Sequence, residues 1–189
     1  MLQEAASHTP RPTRLHLGCG GVRLDGWVNV DAEKNPGVVD VVVDLRYGVP
    51  LPEASCGFVY CEHFLEHLDV ADGVQILREC RRVLDPGGIL RVAMPSLDVI
   101  LERAYRGTWR EQEWLQLPGL SFIRTRAEML NIAFRWWGHR WLYDREELHR
   151  RLREAGFGSV EDVTAGQSRH PELRGLETRA DSLLVCEAS

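Results

Sequence analysis

Residues 15–31 read LHLGCGGVRLDGWVNVD, in which a short apolar strand leads into a glycine cluster and a second strand ends in a carboxylate. Glycines in such a turn let backbone N–H groups approach a ligand closely. A carboxylate at the end of the second strand, here Asp31, is placed to accept hydrogen bonds from ribose hydroxyls. The stretch therefore predicts a site for an adenosine-type ligand.

Two features of this stretch argue against a dinucleotide. The G-x-G-x-x-G fingerprint needs a third glycine, but Arg23 stands there, and Asp31 comes earlier than the acid of that fingerprint, which lies about 20 residues on. Between Gly21 and Trp27 there is also almost no room for the helix whose N-terminus would hold a pyrophosphate. We therefore expect a cofactor without phosphates, and a nicotinamide-dependent oxidoreductase is disfavoured.

The composition is that of one globular domain. The chain has 189 residues, of which 44% are hydrophobic, enough for a sizeable core. None of its five cysteines forms a C-x-x-C pair, which favours reduced thiols and a cytoplasmic protein. The N-terminus lacks the apolar centre of a signal peptide, and no apolar run is long enough to span a bilayer. We expect a flexible segment over residues 1–12, a single domain over residues 13–189, and no membrane partner.

Short β-rich runs alternate with helical patterns, which is typical of a mostly parallel sheet covered on both faces. The run VVDVVVDL at residues 38–45 is nearly all β-branched and predicts a strand buried on both faces. Apolar spacing predicts helices over residues 70–84, 96–106 and 144–156, the first ended by DPGG at residues 85–88. The predicted strands span residues 14–17, 27–31, 38–44, 58–62, 89–94, 160–164 and 182–187.

An ordered series of motifs covers roughly residues 14–95, with a weaker match near the C-terminus: LHLGCG (15–20), GWVNVD (26–31), DL (44–45), CEHFLEHL (61–68), LRECRRVLDPGGILRVAMP (77–95) and LREAGF (152–157). This series resembles the class I S-adenosylmethionine-dependent methyltransferases, especially small bacterial methyltransferase-domain proteins. The resemblance implies an α/β fold: a doubly wound, mostly parallel, seven-stranded sheet of the Rossmann-like type, here with a shortened first helix. It also implies S-adenosyl-L-methionine as the cofactor.

The resemblance assigns Asp31 to the ribose hydroxyls of that cofactor and Asp44 to the exocyclic amine of its adenine. For both aspartates, a solvated strand end is the alternative. His16 stands where most members carry an acid that helps to organise the methionine end of the cofactor, so how that end is held is open. The candidate cofactor residues are His16, Gly18, Cys19, Gly20, Asp31, Asp44, Leu45 and Glu62.

Glu62 and His63 follow the fourth predicted strand, at the edge where open α/β sheets place ligands. A neutral imidazole near pH 7 can accept a proton, so His63 is the candidate general base for a hydroxyl acceptor and Glu62 is the reserve candidate. The sulfonium already activates the methyl group. Alignment of the nucleophile therefore matters most, and a base is optional.

Residues 63–67, HFLEH, also match the H-x-x-E-H pattern of inverted zinc proteases. That pattern needs a helix that presents both histidines to one ion, and a third ligand downstream. Here it directly follows a strand and lies inside the methyltransferase motifs. We therefore predict no metal site and a structural role for His67.

Residues 107–142 are irregular, aromatic and rich in arginine, and we expect them to form an insertion or lid over the sheet edge. From Glu102 to Arg153 there are eleven arginines and seven carboxylates, and the same stretch holds five of the six tryptophans. Such side chains stack on rings and pair with phosphate or carboxylate, although a packed cap over the sheet is at least an equal alternative. The candidate substrate residues are His139, Trp141 and Tyr143.

These patterns predict methyl transfer to an O, N or C nucleophile on a small-molecule or glycan-like acceptor, with anionic acceptors favoured by the excess of arginine. Arginine and tryptophan alone do not establish nucleic-acid binding, which we do not expect. The alternative is a non-catalytic module of the same fold that binds the cofactor or a partner protein. The sequence leaves acceptor identity and oligomeric state open.

Overall fold

The structure, a computed structural model, describes residues 13–189 and centres on a seven-stranded sheet; the segment predicted to be flexible, residues 1–12, lies outside the described residues. The strands are β1 (Thr13–Leu17), β2 (Val28–Asp31), β3 (Val41–Val42), β4 (Cys56–Glu62), β5 (Leu84–Met94), β6 (Val160–Asp162) and β7 (Leu184–Ala188). Their order is β3-β2-β1-β4-β5-β7-β6, with β1 to β5 paired in parallel and β7 antiparallel to both its neighbours. The predicted doubly wound, mostly parallel sheet is confirmed.

The described residues form α-helices α1 (Val70–Val83), α2 (Leu97–Arg106), α3 (Arg126–Arg135) and α4 (Arg145–Glu154). The side chains of Ser96 and Asp144 cap α2 and α4, as predicted. Helix α3 lies in the segment expected to be irregular, where a capping box between Thr125 and Glu128 starts it. In the part of the chain that the structure describes, none of the helices combines the length and apolarity needed to cross a bilayer.

Strands β3 and β5 differ most from their predicted bounds. Strand β3 has only two residues, because the carboxylate of Asp40 accepts hydrogen bonds from the backbone and side-chain N–H groups of Asn29 and the chain before β3 forms a turn. Strand β5 begins at Leu84, directly after α1, because Leu84 already pairs with Cys56 of β4. The carboxyl ends of β1, β2, β4 and β5 lie where the prediction placed them, whereas β3 ends at Val42, two residues before the predicted end at Asp44.

Between β1 and β2 the described chain has turns in place of a helix. The buried amide of Asn29 closes this connection. Its Oδ1 accepts from the Leu24 N–H (2.9 Å), and its Nδ2 donates to the Leu24 and Trp27 carbonyls (both 3.1 Å) and to Asp40 (3.0 Å). Arg23 in turn pairs with Asp40 at 2.8 Å. Side-chain hydrogen bonds thus hold the loop that a helix usually holds.

The main hydrophobic core packs the sheet against α1 and α4. A second cluster joins α2 to residues 107–142 and includes the buried side chains of Trp109, Trp114 and Met129. Much of the aromatic segment is therefore a packed cap, the alternative that the sequence left open. Trp136 and Trp137 remain partly exposed.

Arg91 fastens the C-terminal segment to the centre of the sheet. Its fully buried side chain donates to Glu177 and Glu187 at 2.6 Å each and to the Gln167 carbonyl at 2.9 Å. Glu177 also accepts from the Gly166 N–H at 2.7 Å. This network holds residues 166–177 against the sheet, so the residues that follow reach its carboxyl edge.

Replacing Arg91 with methionine should lower the free energy of unfolding by about 3–5 kcal/mol, because two buried carboxylates lose their cation. Urea unfolding followed by circular dichroism measures the loss. The exposed Arg106–Glu102 pair supplies the matched control, and Arg106→Met should cost less than about 1 kcal/mol. Equal losses in the two variants would contradict the anchoring role of Arg91.

Candidate active site

Two cavities lie side by side at the carboxyl edge of the sheet. The first, of about 440 Å³, we call the glycine-loop cavity; its walls include Gly18, Gly20, Asp31, Asp44, Leu45 and Phe64. The second, of about 630 Å³, we call the aromatic cavity; its walls include Glu113, Trp114, Leu117, Trp137, His139 and Asp181.

Three side chains line both cavities: His63, His67 and Arg179. The histidines belong to the turn after β4, and Arg179 belongs to the loop before β7. We call these three residues the shared wall. Because the cavities meet there, ligands bound in the two cavities would face each other, an arrangement that suits transfer of a group between them.

The glycine loop is shaped for close approach of a ligand. Gly18 and Gly20 have φ values of 61° and 54°, which side chains rarely adopt. A Cβ at Gly18 would lie 2.4 Å from Cδ2 of Phe64, whereas one at Gly20 would meet nothing within 4 Å. The Asp31 carboxylate accepts from the N–H groups of Gly20 (2.7 Å) and Glu33 (2.9 Å). A carboxylate has about four acceptor positions, so Asp31 stabilises the turn and can still bind a ligand.

Asp44 lines the same cavity but is already paired. The guanidinium of Arg46 donates to both of its oxygens, with Nε 3.0 Å from Oδ1 and Nη2 2.6 Å from Oδ2. Hydrogen bonds from the side chain and backbone of Arg46 lower the pKa of Asp44. An adenine amine would therefore share Asp44 with Arg46, and the buried Leu45 supplies an apolar wall beside them.

The structure does not bring His16 or Cys19 to the cavity wall. His16 is buried in β1, its ring stacked on Tyr60, with Nδ1 3.0 Å from Oδ1 of Asn29. Because that oxygen is an acceptor, His16 donates from Nδ1, and burial lowers the pKa of the ring. Cys19 is also buried, and burial raises its pKa to about 11. His16 thus supports the glycine loop from beneath, which differs from its expected place beside the cofactor.

Glu62 ends β4 as a buried anchor. Its carboxylate accepts hydrogen bonds of 2.7–3.0 Å from the N–H and hydroxyl of Thr178, the N–H of Arg179 and the hydroxyl of Ser182. Burial alone would raise the pKa of Glu62, but the hydrogen bonds from Ser182, Thr178 and Arg179 outweigh it and lower the pKa. Glu62 therefore holds residues 178–182 at the sheet edge. Because both of its oxygens already accept hydrogen bonds, Glu62 does not fit its predicted role as the reserve general base. Glu62 also does not line the glycine-loop cavity, where it was predicted to bind the cofactor.

His63 lies in the shared wall with a left-handed backbone, φ 49°, a conformation that often marks functional positions. Its Nδ1 is 3.4 Å from Oε1 of Glu66, and its Nε2 is 3.6 Å from Oδ1 of Asp181. Burial, assisted by the charge of Arg179, lowers the pKa of His63 to about 3. Burial also raises the pKa of Glu66 to about 8. The neutral ring of His63 keeps a lone pair on one of its nitrogens.

Of the three candidate substrate residues, only His139 lines the aromatic cavity. Its ring faces that of His67 with centroids 5.0 Å apart, and burial lowers the pKa of both histidines. Trp141 points its indole N–H at Glu147 (3.2 Å), and Tyr143 is buried in the main core. The geometry therefore does not support the expected substrate role of Trp141 or Tyr143.

Several wall residues lie outside the set of candidates predicted from the sequence. Trp114 and Trp137 pack edge to face in the aromatic cavity, with ring centroids 5.3 Å apart. Arg179 and Asp181 reach the wall through the hydrogen bonds to Glu62, which for the Arg179 N–H join positions 117 residues apart. No motif marks residues 178–181, so sequence reasoning missed them. Phe64 was within reach, because it belongs to the motif CEHFLEHL.

Comparison with known proteins agrees with this geometry. A solved SAM-dependent methyltransferase from Thermotoga maritima superimposes with a TM-score of 0.56 at 18% identity, over 95% of this chain and 82% of that one. A solved SAM-dependent methyltransferase from Archaeoglobus fulgidus superimposes with a TM-score of 0.54 at 16% identity, over 94% of this chain and 84% of that one. A family model described as "Methyltransferase domain" matches residues 25–92. The chain therefore has the fold of the class I methyltransferases, and residues 25–92 match the methyltransferase family model.

The chain also matches a curated protein of Mycolicibacterium smegmatis described as a "Probable S-adenosylmethionine-dependent methyltransferase". The two are 43% identical over 58 residues, which span 29% of this chain and 22% of that protein. The fold predicted from the sequence is confirmed, and both matches agree with the predicted resemblance to S-adenosylmethionine-dependent methyltransferases.

S-adenosyl-L-methionine is the cofactor of the methyltransferases that this chain resembles, and the residues of the glycine-loop cavity fit it. Gly20 opens onto the cavity without a side chain, Asp31 offers acceptors for a diol, and Leu45 offers an apolar surface for a base. A volume of about 440 Å³ is in the range of small-molecule sites. The residues present therefore match the donor that the family uses.

Replacing Glu62 with glutamine should release residues 178–182, because the amide NH₂ would face N–H and hydroxyl donors. The loss of hydrogen bonds to a charged acceptor should cost about 1.5–3 kcal/mol and speed hydrogen–deuterium exchange of that loop. Glu161→Gln is the matched control, since Glu161 pairs with Arg169 at the surface. Unchanged exchange of residues 178–182 in Glu62→Gln would contradict the anchor.

Proposed function

We propose that this chain transfers a methyl group from S-adenosyl-L-methionine to a nucleophile on a small acceptor in the aromatic cavity. The observation that supports this is the shared wall, which places a cavity suited to the donor next to a second, larger cavity. When bound, the sulfonium of the donor supplies an activated methyl group. The protein then has to bind the two molecules, align them and exclude water.

The donor would be held mainly by the glycine loop and the ends of β2 and β3. Asp31 would accept from the ribose hydroxyls, while Asp44 and Leu45 would contact the adenine. Since His16 is buried, another group has to meet the methionine end. We assign its carboxylate to Arg179 of the shared wall, because a guanidinium pairs with a carboxylate in a fixed geometry.

The acceptor that fits best carries a ring. Trp114 and Trp137 offer aromatic surface in the aromatic cavity, and rings and sugars stack on such side chains. Among the described residues that line this cavity, Arg179 is the one arginine, and the carboxylates of Glu113 and Asp181 accompany it. The excess arginines of residues 102–153 thus lie outside the cavity. We therefore propose an aromatic or glycan-like acceptor, and the geometry does not support a preference for anions.

His63 is the proposed general base for a hydroxyl acceptor. It touches both cavities, and Glu66 and Asp181 lie beside its Nδ1 and Nε2. Its nitrogen would accept the proton of the nucleophile while the methyl group moves. Glu66, 3.4 Å from Nδ1, would orient the ring without touching the acceptor.

S-adenosylhomocysteine should raise the melting temperature, whereas NAD should not. At 100 times the Kd the ligand adds about 2.7 kcal/mol, which corresponds to about 5–10 °C for a chain of this size. Asp31→Ala should abolish the shift, because it removes the ribose acceptor and the partner of the Gly20 N–H. Asp25→Ala is the control, since the Asp25 side chain is fully exposed. A shift with NAD alone would overturn the proposal.

Turnover should depend on His63. With a sugar or aromatic hydroxyl acceptor, His63→Gln should lower kcat by about 100-fold or more, measured as release of S-adenosylhomocysteine. The melting shift with S-adenosylhomocysteine should stay. His149→Gln is the control, because His149 lines neither cavity. Cofactor binding without turnover on any acceptor, together with a stable complex with a partner protein, would indicate the non-catalytic module instead.

A further inference from the structure

Three side chains that commonly bind metal ions meet beside the shared wall: the carboxylate of Glu66 and the imidazoles of His67 and His139. One donor atom from each lies within 4.8 Å of the other two. Two imidazoles and one carboxylate are the protein ligands of many catalytic zinc sites and of non-haem iron sites. We propose that this cluster binds a divalent first-row transition-metal ion such as Zn²⁺.

The fold builds this cluster from distant parts of the chain. Glu66 and His67 follow β4, whereas His139 lies in the loop after α3. The Glu66 carbonyl accepts hydrogen bonds from the N–H groups of Arg140 (2.7 Å) and Trp141 (3.2 Å), which fixes the two segments together. The His67 and His139 rings consequently lie with their centroids 5.0 Å apart.

The Glu66 carboxylate is the observation that points to a ligand. The residue is 1% exposed, and neither of its carboxylate oxygens has a hydrogen-bond partner. Buried carboxylates are normally hydrogen-bonded, paired with a cation or bound to a metal. Nδ1 of His63 is 3.4 Å from Oε1 and does not complete a hydrogen bond, and other groups near this carboxylate include its own backbone N–H and the charge of Arg179. A bound cation would satisfy this carboxylate.

His139 is oriented as metal-binding histidines usually are. Its Nδ1 donates to the Ala133 carbonyl at 2.8 Å, which leaves the lone pair on Nε2. Zinc–nitrogen and zinc–oxygen bonds are about 2.0–2.2 Å long, so the three donors would close around an ion by small side-chain movements. The remaining coordination positions would open into the aromatic cavity, which both His67 and His139 line.

The cluster uses different ligands from the H-x-x-E-H pattern. Residues 65–67 form a single 3₁₀ turn, so there is no α-helix to present His63 and His67 to one ion. In the proposed site, the second histidine ligand is His139, which lies far along the chain, and His63 is not a ligand. The charge around the site is mixed, since Asp181 adds a carboxylate and Arg179 a cation to the same cavity. This site does not depend on the proposed methyl transfer, because ion binding is measured without donor or acceptor.

Titration of the chelator-treated full chain with Zn²⁺ in a calorimeter tests the proposal. We expect one equivalent to bind. His139→Gln should weaken binding at least about 100-fold, since the loss of even an outer-shell partner costs about 10–100-fold. His67→Gln should do the same. Melting temperatures in EDTA show whether each variant is folded.

His149→Gln is the matched control, because His149, Asp162 and Cys186 form the other cluster with metal-ligand potential in the described chain. It should leave Zn²⁺ binding unchanged. Loss of binding in His149→Gln, or wild-type binding in a folded His139→Gln, would overturn the proposal. If neither His139→Gln nor His67→Gln folds, the absorption spectrum of the wild-type protein loaded with Co²⁺ tests the proposal. Weak d–d bands alone support the proposed site, whereas a thiolate charge-transfer band would place the ion at Cys186 and overturn it.

Discussion

The buried carboxylate of Glu62 joins the end of β4 to residues 178–182, and both cavities depend on this junction. The donors come from Thr178, Arg179 and Ser182, far along the chain, and they satisfy a charged group that would otherwise be costly to bury. Arg91 supports the same segment from within the sheet. Because of these contacts, Arg179 and Asp181 form walls with His63. The site is thus a consequence of how the C-terminal segment is fastened.

The glycine loop depends on a second buried polar group, the amide of Asn29. An amide offers two donors and one acceptor oxygen in fixed directions, so a single side chain can satisfy several backbone groups of a turn. His16 completes this arrangement by donating to the Asn29 oxygen. A loop held in this way lacks the dipole of a helix N-terminus, which a cofactor without a pyrophosphate does not need.

Residues 107–142 pack against α2 and also contribute walls of the aromatic cavity. Its buried side chains, Trp109 and Met129 among them, form a small core with α2. The loop after α3 then brings Trp137 and His139 to the aromatic cavity. The arginines of residues 102–153 lie outside the aromatic cavity. The positive net charge of this segment therefore does not predict the charge of the cavity. Which side chains turn inward depends on packing, and packing is not visible in composition.

The sequence by itself determined the α/β fold, the seven strands, and the caps at Ser96 and Asp144. These features follow from local signals, because apolar periodicity, turn residues and the spacing of a loop act over a few neighbouring positions. Only the tertiary structure decided that His16 lies beneath the glycine loop and that Glu62 holds residues 178–182 at the sheet edge. It also decided that Arg179 belongs to the shared wall and that His139 lines the aromatic cavity. Those outcomes depend on contacts between residues far apart in the chain, whose free energies no local pattern records.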